Sequence, residues 1–149
     1  MQSAVSSQSL CVLLVEDNDG DAVLAEEAFR ETSVAVSMQR VADGIDALAY
    51  LQGEGEYADA VRPDLILLDL NMPRMGGHEV LAHIKADTRL CTIPVVVLTT
   101  SQSDRDVIDS YSLHANCYIS KPIDFDRFTT VVKNMTDFWF GIARLPPKN

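Results

Sequence analysis

Four apolar runs in this chain each give way to a residue able to do chemistry. Leu65-Ile66-Leu67-Leu68 leads into Asp69, Val12-Leu13-Leu14-Val15 into Glu16-Asp17, Val95-Val96-Val97-Leu98 into Thr99, and Cys117-Tyr118-Ile119 into Ser120-Lys121. Short runs of branched apolar residues read as buried strands. If the strands lie parallel, their carboxyl ends share one edge of the sheet, and open α/β sheets place their ligands at that edge. Three carboxylates, a hydroxyl and a lysine then converge on one rim.

Carboxylates held that close are unfavourable unless a cation intervenes. A donor set made only of oxygen, with no His or Cys beside it, suits a hard ion such as Mg²⁺, which keeps several waters and takes few protein ligands. Asp17 and Asp69 are expected as carboxylate ligands, Asn71 through its carbonyl, and Glu16 mainly through water. Lys121 supplies fixed positive charge opposite the metal. A metal ion and an ammonium around one carboxylate form a phosphoryl-transfer arrangement. Asp69 is therefore expected to attack in line as a nucleophile and become an acyl phosphate, while the metal and Lys121 neutralise charge on the phosphoryl oxygens. A calcium loop starting at Asp17-Asn18-Asp19-Gly20-Asp21 fails on spacing, because Ala22 and Ala28 stand where Gly and Glu are required. Asp19 or Asp21 reads instead as an acid at a helix N-terminus, where the helix dipole favours it.

The elements that must position these residues alternate along the chain. Apolar runs at 11–15, 34–38 (the weakest), 65–68, 95–98 and 117–119 are separated by helix-period stretches at 21–31, 43–51, 78–85 and 104–113, and a last helix starts near Asp124. Strand and helix in strict alternation predict a parallel sheet with helices on both faces and right-handed crossovers. Residues 52–63 form a longer loop rich in Gly and Glu.

Composition narrows the remaining choices. The 149 residues, 47% of them hydrophobic and 23% charged, suit one domain with a real core. A net charge of −10 without a Lys/Arg cluster argues against direct nucleic-acid binding. No apolar run approaches the ~20 residues that span a membrane. Residues 1–9 are Ser/Gln-rich and lack the features of a signal peptide, so a disordered tail and a cytoplasmic location are expected. Cys11, Cys91 and Cys117 have no metal-ligand spacing. Cys11 and Cys117 lie in strand-like segments and are expected as buried free thiols.

The pieces Val15-Glu16-Asp17-Asn18, Leu68-Asp69-Leu70-Asn71-Met72-Pro73, Leu98-Thr99-Thr100 and Ser120-Lys121-Pro122, with the intervals between them, are similar to the receiver domain of two-component response regulators. The resemblance covers nearly the whole chain. It implies a doubly wound, five-stranded parallel sheet of flavodoxin-like order 2-1-3-4-5, with helices on both faces. It also implies a phosphoacceptor role for Asp69, a switch hydroxyl at Thr99, a coupled aromatic at Tyr118 and the family's Lys-Pro pair at Lys121-Pro122. The implied protein is a signalling module and not an enzyme with an external substrate. The loop at 52–63, the segment 115–119 and the tail Asp137-Phe138-Trp139-Phe140 resemble phytochrome-associated single-domain regulators, which implies a phytochrome-type histidine kinase as partner and no DNA-binding output domain. One departure is the loop Arg74-Met75-Gly76-Gly77, where receivers usually carry an acidic residue or Asn before the last Gly.

The domain is expected to span 10–143 with an extended last helix, leaving 144–149 as a tail. That helix carries Phe125, Phe128, Val132, Met135, Trp139 and Ile142 at alternating spacings of three and four, and a second stripe of Val131, Phe138 and Leu145. One face suffices to cover the sheet. The surplus predicts a homodimer or partner face through Phe128, Phe138, Trp139 and Ile142. Two other functions fit these residues less well. A phosphatase working through an aspartyl phosphate carries Asp-x-Asp after its first strand, whereas here the nucleophile candidate follows the third and position 71 is Asn. An adaptor that is never phosphorylated would not need Glu16, Asp17, Asp69, Thr99 and Lys121 all intact.

Overall fold

A computed structural model describes residues 10–32, 35–70, 72, 75–99, 117–120 and 124–137. The strands are β1 (Leu10–Val15), β2 (Val36–Val41), β3 (Leu65–Asp69), β4 (Val95–Thr99) and β5 (Cys117–Ser120). The helices are α1 (Asp19–Arg30), α2 (Gly44–Gln52), α3 (Gly77–Ala86) and α4 (Phe125–Asp137), with a 3₁₀ turn at Gly55–Tyr57. The strands form one sheet in the order β2-β1-β3-β4-β5, every neighbouring pair parallel. Among the described residues no helix is long and apolar enough to cross a membrane.

Alternation along the strands sends side chains to two cores. Leu13, Val15, Ile66, Leu68, Val95 and Val97 meet Ala47 and Tyr50 of α2 and Val80, Leu81 and Ile84 of α3. Leu10, Val12, Leu14, Leu65, Leu67, Val96 and Leu98 meet Ala22, Ala25, Ala28 and Phe29 of α1 and Phe128 and Val132 of α4. Because β3 is covered on both faces, all five of its residues are buried, which is why it reads as a continuous apolar run.

Helix starts are set by short polar side chains. Asn18 Oδ1 accepts the Asp21 N–H at 2.9 Å, and Asp43 Oδ1 accepts the Asp46 N–H at 2.9 Å. Asp19 and Asp21 both lie in the first turn of α1, which begins two residues before the helical stretch expected from 21. The α3 start depends on close approach: a Cβ on Gly77 would stand 2.5 Å from the Asp69 carbonyl oxygen and 2.6 Å from Leu70 Cα. Only glycine lets this helix begin against the end of β3.

Three expectations need correction. The second strand lies at Val36–Val41, later than the predicted 34–38, because its register pairs Leu10 with Val36 and Val15 with Val41. β2 is an edge strand whose residues are mostly half-buried or exposed, so its apolar signal is faint. Cys11 is only half-buried, since the surface over the start of β1 and β2 is an open cavity bordered by Ser37, Gln39, Tyr50 and Tyr57. Phe128 belongs to no partner face: at 2% exposure it lies in the core between the sheet and α1. Within the described part of α4, Phe128 and Val132 are buried in the domain's own core, with Phe125 and Met135 partly buried against it. Phe138, Trp139 and Ile142, the expected tails at 1–9 and 144–149, the last-helix extension beyond 137 and the helix expected at 104–113 lie outside the described residues.

Candidate functional site

The parallel register levels the strand ends. Val15 pairs with Leu68, so Glu16 and Asp69 follow as neighbours at the same height. Asp69 pairs with Leu98, and Thr99 pairs with Ser120. Glu16, Asp69 and Thr99 thus stand at one carboxyl-terminal edge of the sheet.

At that edge one carboxylate oxygen each from Glu16, Asp17 and Asp69 lie within 4.8 Å of one another. Glu16 is fully buried and Asp69 is 2% exposed, while Asp17 faces solvent. Burial of two acids beside a third is costly unless positive charge compensates. The donor set is all oxygen, two members are fixed by the sheet, and the open member gives a route in from solvent. These features fit a hard divalent cation.

The backbone holds the acids in place. The Leu70 N–H donates to the Leu98 carbonyl at 2.9 Å, and the Gly77 N–H donates to the Leu70 carbonyl at 3.2 Å. The turn that leaves Asp69 is therefore tied to both β4 and α3. On the other strand, the Glu16 N–H donates to the Val41 carbonyl at 3.0 Å, and Glu16 Oε2 accepts the Asn18 N–H at 3.2 Å. Glu16 thus organises the turn into α1 as well as adding charge.

The family model of the response regulator receiver domain matches residues 12–133. The chain belongs to this family. Among relatives of this receiver, response regulator Rcp1 of Synechocystis sp. is 44% identical over 135 residues, covering 91% of this chain and 92% of Rcp1. The crystal structure of the phosphorylated cyanobacterial phytochrome response regulator RcpA matches with a TM-score of 0.85 at 49% identity, covering 93% of this chain and 99% of that one. The Mn²⁺-bound form of Rcp1 matches with a TM-score of 0.83 at 43% identity, again over 93% of this chain and 99% of that one.

Of the residues predicted from the sequence, Glu16, Asp17 and Asp69 are brought together by the receiver fold. Thr99 and Tyr118 are placed by their strands, with side chains outside the described set, and Asn71 and Lys121 lie outside it altogether. Sequence reasoning missed Arg40. Its Nε donates to the Glu16 carbonyl at 2.9 Å, and a guanidinium nitrogen lies 2.9 Å from Asp19 Oδ1. A single arginine near the end of a weakly apolar strand carries no motif, and only the β1–β2 pairing reveals its reach.

Proposed function

We propose that this receiver accepts a phosphoryl group on Asp69 from a phosphohistidine of a partner histidine kinase, and that the resulting acyl phosphate changes its protein contacts. The observation that carries this reading is the convergence of Glu16, Asp17 and Asp69 oxygens within 4.8 Å at the sheet edge.

An Asp69 oxygen attacks phosphorus in line. The new O–P bond forms as the N–P bond of the phosphohistidine breaks, and the imidazole leaves with the electron pair. Asp17 and Asp69, the Asn71 carbonyl, and Glu16 through water would hold Mg²⁺. When bound, the ion supplies charge neutralisation for the phosphoryl oxygens. Lys121 supplies the opposing positive charge from the end of β5. Thr99 at the end of β4 donates its hydroxyl to a phosphoryl oxygen, and Tyr118 of β5 follows that movement as the switch aromatic. Loss of the phosphoryl group to water regenerates the Asp69 carboxylate. The buried setting of Asp69 supports this assignment, because few waters compete for the nucleophile.

A phytochrome-type kinase is the partner favoured by likeness to RcpA, whose structure is described as that of a phytochrome response regulator. The test is labelling with acetyl phosphate in the presence of Mg²⁺, read by intact-protein mass. Wild type is expected to gain one phosphoryl group and Asp69→Asn none; equal labelling of both would remove Asp69 from the central role. Phosphotransfer from a panel of purified kinases then identifies the donor, a phytochrome-type kinase being expected to transfer fastest.

A further inference from the structure

Arg40 is the penultimate residue of β2 and pairs in register with Leu14 of β1. From the sheet edge its side chain runs forward along β1 and donates from Nε to the Glu16 carbonyl at 2.9 Å. The Glu16 N–H meanwhile donates to the Val41 carbonyl at 3.0 Å. Both peptide groups of Glu16 are therefore tied to β2, one through the strand backbone and the other through the guanidinium. The same guanidinium reaches Asp19 Oδ1 at 2.9 Å, so it spans the loop on both sides of Asp17.

These two contacts differ in weight. The Asp19 side chain is 93% exposed, and a pair so open to water contributes little. The bond to the Glu16 carbonyl is charge-assisted and partly buried, which makes it the stronger one. It acts on the peptide group linking Glu16 to Asp17. Repulsion among three carboxylates pushes that loop outward when no cation is bound, and a donor anchored in the sheet opposes the movement.

We propose that Arg40 is a positioning residue for the cation site, holding the Glu16–Asp17 peptide in the geometry that brings the three carboxylates together. The inference rests on the reading of Glu16, Asp17 and Asp69 as a metal site. It makes a prediction opposite in sign to simple electrostatics. A guanidinium near a cation site repels the cation, so charge alone requires that deleting it tighten binding; positioning requires that deleting it weaken binding.

The experiment is isothermal titration of the full chain with Mn²⁺ and with Mg²⁺, with circular dichroism as the check on folding. Arg40→Ala is expected to raise the dissociation constant about tenfold, the lower end of what is seen for groups that orient metal ligands. Arg40→Met keeps the stem packing and removes every donor; it gives the same shift and serves where the alanine variant does not fold. Arg40→Lys, which restores a charged donor, recovers most of the affinity, and Asp19→Asn stays within about twofold of wild type. In acetyl phosphate labelling, the Mg²⁺ concentration at half-maximal rate rises in Arg40→Met while the rate at saturating Mg²⁺ is unchanged. A folded Arg40→Met protein that binds the cation as tightly as wild type, or more tightly, overturns the inference. A wild-type chain that binds neither cation overturns the metal-site reading itself, and the two failures are thereby told apart.

Discussion

β3 is bracketed by two buried aspartates with opposite surroundings. Asp64 directly precedes the strand at 8% exposure and Asp69 ends it at 2%. At the amino end, Asp64 Oδ2 accepts the Cys11 N–H at 2.9 Å and the Asp64 N–H donates to the Cys11 carbonyl at 2.7 Å. One carboxylate and one peptide group clasp β1 and β3 just before their ladder begins. At the carboxyl end, Asp69 shares its space with the carboxylates of Glu16 and Asp17. Burial is similar and residue type identical, so neither marks the functional acid. The distinction lies in company: Asp64 accepts a backbone N–H of β1, whereas Asp69 stands with two other acids whose oxygens lie close enough to share a divalent cation.

The contrast is most exposed to failure in phosphorylation. Acetyl phosphate labelling is expected to vanish in Asp69→Asn and to stay within about twofold of wild type in Asp64→Asn, because a residue at the opposite edge of the sheet touches none of the reacting groups. Loss of labelling in a folded Asp64→Asn protein would break the division between the two ends.

A smaller effect separates the ends by stability. Asp64→Ala removes a buried acceptor and leaves the Cys11 N–H without that bond, at a cost of about 1–3 kcal/mol in urea unfolding. Asp17→Asn should do the reverse without metal, raising stability by roughly a few tenths of a kcal/mol, since the side chain is exposed and the relieved repulsion is screened. Excess Mg²⁺ should then stabilise wild type more than Asp17→Asn. Destabilisation by both substitutions in metal-free buffer would erase the difference in electrostatic character.

The smallest effect concerns Tyr50, beside Cys11 at the amino end. Its hydroxyl donates to the Val61 carbonyl at 3.1 Å. Burial, with a further contribution from negative charge on Cys11, raises its pKa above the ordinary 10.0. The folded state therefore keeps a proton that the unfolded chain has already lost. The stabilisation is fully present below pH 10.0 and lost as pH rises through the folded value. Urea midpoints at about pH 9 and 11 should fall further apart in wild type than in Tyr50→Phe; an identical drop in both would remove Tyr50 from the alkaline response.

Much of this was legible beforehand, and for a definite reason. Strands covered on both faces must be apolar throughout, so β1, β3 and β4 announced themselves together with the residues that follow them. The edge strand β2 has one neighbour and a half-wet face, so its bounds were displaced. The α4 stripe showed the opposite limit. Spacing revealed apolar residues in plenty and could not say which of them the domain itself would use, and Phe128 went to the core. Gly77 sat in plain view within a Gly-Gly pair, yet its necessity comes from the Asp69 carbonyl, a contact between segments.

By itself the sequence determined the strand–helix alternation, the chemistry of the residues at the strand ends and hence the identity of the acidic set, because periodicity and residue type are local properties of a chain. Tertiary structure decided what depends on register. The alignment of Val15 with Leu68 sets Glu16 beside Asp69, and the alignment of Leu14 with Arg40 lets a guanidinium reach the Glu16 carbonyl. Pairing between distant segments is fixed by the packing of whole faces, and no single segment encodes which residue of another will stand opposite it.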